Sequence, residues 1–307
     1  MGKVAILGSY VVDLASLVDR LPIPGETLLG SRFMIGPGGK GSNQAIAAGR
    51  LGSEVFMIGR VGNDFFGQMA IDNFRREGIN IDHVAIDPIS ETGTAQILVG
   101  QDSENMIVVV PGANSKVEIE HVNNARAVIQ GTDIFLTQFE LGMKTVEYGI
   151  ETAFNLKKLV IVNPAPAQPL TREIFPLVSI MTPNETELQS LTNMPVDEIE
   201  QVEKAAKALR NLGVDQVVVT LGRKGALLVN ESTVQHSVGL SVNAVDTTGA
   251  GDAFNGGLVT ALAEGKHIKE AIVFANKVAA LSVQRHGTAP SMPLRSEVES
   301  LDHISNK

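Results

Sequence analysis

Short apolar runs rich in β-branched residues alternate along this chain with amphipathic segments of helical length. The runs that predict buried strands are residues 4–7, 55–58, 134–136, 159–162, 180–181 and 217–220. The segments that predict helices are residues 43–51, 67–77, 144–156, 202–212, 251–264 and 269–284. This alternation predicts an α/β fold with a mostly parallel central sheet and helices on both of its faces.

Two regions depart from the alternation and predict a second, smaller sheet. Residues 27–35 and 94–110 have strand composition with no helical segment between their strands. The polar residues 101–105 predict the turn of a hairpin in the second region. Because no repeat or linker interrupts the sequence, we expect one domain over residues 1–307, with the additional strands inserted at about 10–37 and 93–112.

Composition and charge exclude several classes of protein. The 307 residues are 44% hydrophobic, enough for a large core, and a net charge of −9 without a basic stripe argues against a nucleic-acid partner. The absence of cysteine rules out disulfides and thiolate metal sites. No apolar run reaches membrane-spanning length, and the first apolar residues predict a strand rather than a signal peptide. We therefore expect a cytoplasmic enzyme without a membrane or nucleic-acid partner.

A run of small residues around one carboxylate is the strongest chemical signal. Asp252 follows Gly251 and precedes Phe254, Leu258 and Leu262, whose four-residue spacing predicts a helix. Glycines at a helix start let backbone N–H groups approach an anion at the positive end of the helix dipole. Phosphoryl transfer to a hydroxyl needs such a cradle beside a general base. The alternative is a plain helix start, where an acidic residue stabilises the dipole.

A second glycine cluster, G-P-G-G-K-G-S-N-Q-A, occupies residues 36–45. Residues 36–45 and 246–257 closely resemble the two signature regions of the ribokinase-like (PfkB) family of sugar kinases, and the likeness runs over nearly the whole chain. The segments at 163–167, 182–187 and 220–225 also resemble that family. The resemblance implies a ribokinase-like α/β fold in which the small β-sheet forms a lid over the sugar and pairs two subunits into a homodimer.

The resemblance also implies which residues act on the sugar. Asp252 would be the catalytic base, and the backbone of Gly249, Ala250 and Gly251 would form the anion hole. Besides Asp252, the residues that would bind the sugar are Val11, Asp13, Gly38, Gly39, Lys40, Asn43 and Glu140. We expect Asp13 in a loop after the first strand, where solvation or capping is the alternative to accepting from two sugar hydroxyls.

The cofactors that the resemblance implies are ATP, Mg²⁺ and an activating K⁺. Asn184 and Glu187 would organise Mg²⁺ and the triphosphate, although the same pair also suits a helix start. The remaining nucleotide contacts would come from Thr220, Gly222, Gly225, Gly251 and Asn276. The K⁺ loop would consist of Asp246, Thr248, Ser282, Arg285, Gly287 and Ser291, mostly through backbone carbonyls.

The glycine cluster keeps a different class of enzyme open. Residues 36–41 satisfy G-x-G-x-x-G, as in a dinucleotide-dependent oxidoreductase. That fingerprint should follow the first strand and meet an acidic residue about 20 positions later. Here it lies well past the first strand, and Arg60 and Val61 occupy the expected acidic region. A non-catalytic sugar- or nucleotide-responsive binding protein is a further alternative, disfavoured because binding alone needs no base at Asp252.

One position departs from the commonest pattern of the resembled family. Its ribose-phosphorylating members usually have Asn where Val11 stands, and that Asn contacts the ribose 2-hydroxyl, whereas deoxyribokinases have an apolar residue there. The expected activity is ATP-dependent phosphorylation of the primary 5-hydroxyl of D-ribose or 2-deoxy-D-ribose. Another sugar, or a nucleoside, is the alternative acceptor within the family.

Overall fold

Two β-sheets of different size organise the computed structural model, which describes residues 1–100 and 104–304, with side chains described up to residue 301. The strands are β1 (Lys3–Leu7), β2 (Val11–Leu17), β3 (Arg32–Gly38), β4 (Glu54–Gly62), β5 (Asn80–Asp87), β6 (Gly93–Val99), β7 (Asn105–Val110), β8 (Ile134–Thr137), β9 (Leu159–Val162), β10 (Ile180–Met181), β11 (Gln216–Thr220), β12 (Gly225–Val229) and β13 (Val234–Val238). The helices are α1 (Lys40–Arg50), α2 (Phe65–Arg76), α3 (Ile119–Asn124), α4 (Arg126–Gly131), α5 (Met143–Asn155), α6 (Glu185–Thr192), α7 (Ile199–Asn211), α8 (Ala250–Ala263), α9 (Ile268–Ser282) and α10 (Arg295–Ile304).

The large sheet is mostly parallel, as the alternation predicts. Its nine strands run in the order β13-β12-β11-β10-β9-β8-β1-β4-β5. The strands from β11 to β5 pair in parallel, and β12 and β13 add an antiparallel edge. Because parallel neighbours end at the same edge, residues that follow β8, β9 and β10 meet there.

Two apolar cores cover the two faces of this sheet. In the buried strand β1, Val4 and Ile6 join the core that includes residues of α1, α2, α8 and α9. Ala5 and Leu7 join the opposite core, with residues of α5 and α7. Successive side chains of a strand point to opposite faces, so a continuous apolar run is what a strand covered on both sides requires.

The small sheet has the strand order β3-β2-β6-β7. β2 pairs with β3 and β6 with β7 in antiparallel fashion, while β2 and β6 are parallel. β7 lies at the edge, and its residues Asn105–Val110 are all exposed. We call β2, β3, β6 and β7 the lid sheet.

Helix α8 packs unusually close to its two neighbouring helices. A Cβ built on Gly256 would lie 2.4 Å from Cβ of Ala47 in α1, and one on Gly257 would lie 3.0 Å from Cα of Ala275 in α9. Side chains at these positions would separate the helices, so Gly256 allows the close approach of α1 to α8, and Gly257 allows that of α9.

The structure corrects some expectations for the lid sheet. The strand predicted over residues 27–35 is wrong in its boundaries, since β3 spans Arg32–Gly38. Asp13, expected in a loop, lies within β2. Three of the predicted turn residues, 101–103, lie outside the described residues, although the flanking β6 and β7 do pair as a hairpin.

Among the described residues, no helix combines the length and the apolar composition needed to cross a membrane.

Candidate active site

A polar cavity of about 150 Å³ lies at the carboxyl edge of the large sheet. Strand ends supply one wall, with Asn163 directly after β9, Thr182 directly after β10 and Thr220 at the end of β11. The N-terminus of α8 also lines the cavity. The predicted residues that line the cavity are Lys40, Asn184, Glu187, Thr220, Gly249, Ala250, Gly251 and Asp252.

Asp252 lies in the first turn of α8 and is only 5% exposed. Its two carboxylate oxygens are held separately: Asn43 Nδ2 donates to Oδ2 and Gln44 Nε2 donates to Oδ1, each at 2.9 Å. Both donors belong to α1, which the close approach at Gly256 brings against α8. Amide donors on both oxygens fix the orientation of a carboxylate that still lines the cavity.

The start of α8 has the backbone form of an anion cradle. Gly249 has φ +79° and caps the helix without a side-chain hydrogen bond. The first N–H groups of a helix have no partner within it, and they point along the positive end of the dipole. The N–H of Ala250 donates to the Thr247 carbonyl at 3.2 Å, so in this structure the N–H groups of Gly251 and Asp252 are the better anion donors.

Lys40 brings a positive charge into a ring of carboxylates. Burial alone would lower its pKa, but the charges of Asp252, Glu140 and Glu187 outweigh burial and raise the pKa. Glu140 accepts from the Lys40 backbone N–H at 2.8 Å and from the Ser9 hydroxyl. The cavity therefore holds an ammonium group that stays protonated beside the carboxylates.

Asp13 faces the site from the lid sheet and lies against Gly38, where a Cβ would come within 2.3 Å of its carboxylate. The Thr288 hydroxyl lies 3.0 Å both from Asp13 Oδ2 and from the Pro37 carbonyl. Burial raises the pKa of Asp13 to about 6; the Thr288 hydrogen bond opposes this rise, and the charges of Glu140 and Asp252 add to it.

Val11 lies two residues before Asp13 on β2 and hence on the same face of the strand. It is 6% exposed. It packs in neither of the two apolar cores that the described residues form. A Cβ on Gly39, which has φ +87°, would lie 2.8 Å from the Val11 nitrogen, so glycine allows this close backbone contact.

The predicted nucleotide residues divide into two groups. Asn184 and Thr220 form an isolated parallel bridge, and Asn184 and Glu187 form a reciprocal capping box at the start of α6. Burial raises the pKa of Glu187, while the Asn184 N–H and Lys40 oppose that rise. The second group lies beside the antiparallel strands β12 and β13 of the large sheet and consists of Gly222, Gly225 and Asn276. Asn276 there donates to the Ser237 hydroxyl at 3.1 Å.

The predicted K⁺ loop is assembled around Asp246. Its Oδ1 accepts from the Thr248 N–H and its Oδ2 from the Gly287 N–H, both at 2.9 Å. Burial acts to raise the pKa of Asp246, but these hydrogen bonds outweigh it and lower the pKa. The side chains of Ser282, Ser291 and Arg285 are turned to Ala279, Thr288 and Glu297, respectively, so only their carbonyls remain as candidate ligands.

A family model described as pfkB family carbohydrate kinase matches residues 1–295. The chain belongs to the pfkB family of carbohydrate kinases. The resemblance inferred from the two glycine-rich segments is therefore confirmed, and so is the class of enzyme, a phosphotransferase that acts on an alcohol group. The G-x-G-x-x-G segment, residues 36–41, spans the end of β3 in the lid sheet and the start of α1. A dinucleotide fingerprint would instead follow the first strand.

Relatives within the pfkB family cover nearly the whole length of this chain. A ribokinase of Haemophilus influenzae is 41% identical over 299 residues, covering 97% of this chain and 98% of that protein. A deoxyribokinase of Salmonella typhimurium is 38% identical over 291 residues, covering 94% and 95%. The structure of Arabidopsis thaliana ribokinase complexed with ribose and ATP matches with a TM-score of 0.91 and 31% identity, covering 98% and 99%. The ribokinase-like fold is thus confirmed.

Several residues around the Asp252 carboxylate were missed in the sequence. Gln44, Gln138 and Asn163 are buried polar side chains joined by hydrogen bonds near Asp252. Asn255, also buried, accepts from the Thr182 hydroxyl and donates to the Gly251 carbonyl. Asn163 and Gln138 follow buried strands directly, and polar residues at that position are a usable signal in α/β sheets. Thr288 has no such local signal.

Proposed function

We propose that this chain transfers the γ-phosphoryl group of ATP to the primary 5-hydroxyl of D-ribose or 2-deoxy-D-ribose. The observation that carries the proposal is the geometry around Asp252, a buried carboxylate fixed by two amides at the N-terminus of α8. The ribokinase and deoxyribokinase relatives support a pentose as the acceptor. The bound ribose and ATP of the Arabidopsis ribokinase support both substrates.

Asp252 acts as the general base in this mechanism. The sugar 5-oxygen forms a bond to the γ-phosphorus while the bond from that phosphorus to the ADP oxygen breaks, and the hydroxyl proton passes to Asp252. The N–H groups of Gly251 and Asp252 stabilise the charge on the phosphoryl oxygens. Lys40, which lines the same cavity, adds a positive charge close to the transferred group.

The residues around Asn184 and Glu187 fit Mg²⁺ bound chiefly through phosphate. The described part of the chain holds no cluster of three or more side chains that would ligate a metal alone. Mg²⁺ commonly keeps its waters and uses one or two carboxylates together with substrate phosphates. Glu187, partly buried beside Lys40, is the suitable carboxylate. When bound, Mg²⁺ neutralises phosphate charge.

Sugar recognition is assigned to Asp13, Glu140, Asn43 and the backbone at Gly38 and Gly39. Asn43 Oδ1 is buried without a hydrogen-bond partner, which leaves an acceptor for a sugar hydroxyl. Val11 supports 2-deoxy-D-ribose, because its apolar side chain lies on the Asp13 face of β2 and offers no hydrogen bond to a 2-hydroxyl.

A monovalent cation, K⁺, is proposed to activate the enzyme by ordering the loop between Asp246 and α8. The Asp246 carboxylate joins this loop to the Gly287 N–H. The next residue, Thr288, packs against Gly249, since a Cβ built on Gly249 would lie 3.3 Å from Thr288 Cα. Cation binding there would stabilise the anion cradle without contact with either substrate. Replacing Na⁺ by K⁺ at constant ionic strength should raise kcat, and Asp246→Ala should remove the difference.

We also propose a single domain over residues 1–307 with an inserted lid at about 10–37 and 93–112, and a homodimer formed through that lid. The exposed apolar strand β7 supports the dimer, since unpaired apolar edges are rarely left in solvent. Closure of the lid over the sugar would keep water from the transferred phosphoryl group.

Asp252→Asn tests the mechanism directly. The amide keeps the size of the side chain but cannot accept the proton, so kcat should fall by about 10²–10⁴-fold while sugar affinity changes much less. ATP consumption should be measured with D-ribose, 2-deoxy-D-ribose, hexoses and nucleosides as acceptors. Near-normal turnover of the variant would refute the role of Asp252, and a preference for a hexose or nucleoside would refute the substrate.

A further inference from the structure

Hydrogen bonds form a closed ring around the first turn of α8. Gln44 Nε2 donates to Asp252 Oδ1 at 2.9 Å and to Asn163 Oδ1 at 3.0 Å. Asn163 Nδ2 donates to the Thr182 carbonyl at 3.0 Å, and the Thr182 hydroxyl to Asn255 Oδ1 at 2.7 Å. Asn255 Nδ2 closes the ring on the Gly251 carbonyl, one peptide from Asp252, at 2.8 Å.

Gln44 is the only member of this ring, among the residues described, that holds the Asp252 side chain. Its side chain is fully buried. Both Nε2 hydrogens are used, and its Oε1 accepts from Gln138 Nε2 at 2.7 Å. A carboxylate accepts hydrogen bonds and cannot donate them, so the amide has one satisfactory orientation. Asn43 differs, because its Oδ1 remains free.

We propose that Gln44 is the positioning residue for the catalytic base. This inference rests on the proposed role of Asp252 in proton transfer. Gln44 fixes the rotation of the Asp252 carboxylate, and the ring couples that orientation to the Gly251–Asp252 peptide of the anion cradle. The carboxylate that accepts the proton and the N–H groups that stabilise the phosphoryl oxygens thereby keep a fixed position relative to each other. Asn43 Oδ1 remains available to accept from a sugar hydroxyl.

Gln44→Met is the first test, because methionine fills a similar volume but donates no hydrogen bond. A hydrogen bond to a charged group contributes about 1.5–3 kcal/mol, so we expect kcat to fall about 10- to 100-fold. The KM values for sugar and ATP should change little. As a matched control, Thr260→Val removes a buried hydrogen bond elsewhere on α8, in which the Thr260 hydroxyl oxygen accepts from the Ser53 hydroxyl at 3.0 Å. That control should alter thermal stability and leave kcat unchanged.

The decisive measurement is the same substitution in the Asp252→Asn background. If Gln44 acts through Asp252, Gln44→Met should cost at most about threefold there, because the two losses are not additive. An equal loss in both backgrounds overturns the inference. Unchanged kcat in Gln44→Met, with Asp252→Asn inactive, also overturns it and leaves the proposed function standing. An active Asp252→Asn enzyme overturns the proposed function itself.

Gln138→Leu keeps the inference falsifiable if Gln44→Met does not fold. This substitution removes the donor that orients Gln44 and leaves Gln44 in place. We expect kcat to fall by several-fold with KM unchanged. A folded Gln138→Leu enzyme with wild-type kcat would mean that the orientation of Gln44 does not govern catalysis.

Discussion

The charge of Asp13, to which our proposal assigns sugar hydroxyls, makes the fold less stable at neutral pH. Burial is the main cause that raises its pKa from 3.8 to about 6. This rise in pKa means that ionising Asp13 costs more in the native state than in the unfolded chain. The ionised carboxylate therefore lowers the free energy of unfolding at neutral pH by about 2–3 kcal/mol. The native form keeps the Asp13 proton up to about pH 6, whereas the unfolded chain releases it near pH 4. The free energy of unfolding therefore falls as the pH rises between those values.

Asp13→Asn should therefore stabilise the protein and weaken its function. The amide has no charge to bury, so we expect a higher melting temperature than the wild type at pH 7.5 and a difference that closes near pH 4. The KM for the sugar should rise, because the amide accepts from fewer hydroxyls. Calorimetry at the two pH values measures the first effect. A variant that is less stable at pH 7.5 would contradict this account.

Val11 determines, on our proposal, how the enzyme treats the sugar 2-hydroxyl. A buried hydroxyl without a partner costs about 1–3 kcal/mol, which a 2-deoxy carbon avoids. Val11→Asn should shift the ratio of kcat/KM values toward D-ribose by about tenfold or more. Steady-state kinetics on both sugars gives the ratio.

The neighbouring Val12 is a suitable control for Val11→Asn. It is fully buried and belongs to the core on the α1 side. Val12→Asn should lower stability and both activities together without moving the ratio. If Val11→Asn behaves in the same way, the substrate argument fails while the kinase assignment remains.

The contact between α1 and α8 sets the distance between the Asp252 carboxylate, the base of our proposal, and its two amide donors. A Cβ on Gly256 would meet Ala47 Cβ at 2.4 Å and the Gln44 carbonyl at 3.2 Å. We expect Gly256→Ala to cost about 1–3 kcal/mol of stability through overpacking. Because Asn43 and Gln44 would move with α1, kcat should fall by about tenfold or more.

Chemical denaturation and kinetics of Gly256→Ala test this prediction against Gly131→Ala. Gly131 ends α4, and a Cβ there meets no atom within 4 Å. The control should be neutral or slightly stabilising. Wild-type kcat in Gly256→Ala would show that the helices adjust without disturbing the site.

Elements with a complete apolar period were predictable from the sequence. The strands β1, β4 and β8–β11 and the helices α1, α2, α5 and α7–α9 lie where the pattern predicts them. β5 was missed because its residues are mostly half-exposed and include Asp82 and His83, and α3, α4 and α6 are too short to establish a period. β2 lies within the range of about 10–37 expected for lid strands, but its own bounds were not predicted, because the polar Asp13 interrupts its apolar run.

The candidate site was predictable only where motifs carry it. Asp252 and Lys40 lie in glycine-rich segments whose chemistry can be read locally. Gln44 and Asp252 are 208 positions apart, and Asp13 and Thr288 are 275 apart. No local pattern indicates such pairs, because they depend on how α1, α8 and the lid sheet pack together.

The lid sheet governs the assembly of the whole molecule on our proposal. Val108 is 63% exposed and lies among the exposed apolar residues of the edge strand β7. A charge there would be desolvated on pairing, so Val108→Asp should shift the enzyme from dimer to monomer. Sedimentation equilibrium of the wild type and the variant measures this change.

Val238→Asp is the matched control for the lid substitution, since Val238 is 73% exposed on the edge strand β13 of the large sheet. It should leave the association state unchanged. A monomeric wild type, or a dimer that persists in Val108→Asp, would contradict the proposed interface.

The two partners of the hydrogen bond from Thr288 to Asp13 are synthesised at very different times during translation. Residues 275 positions apart meet in one site, and β1, the first strand to be made, lies deep inside the large sheet. At typical translation rates, Asp13 waits on the order of 15–55 seconds for Thr288 to be synthesised. A nascent chain therefore contains its lid strands well before the site is complete, and the pairing of Asp13 with Thr288 waits until residue 288 has been synthesised.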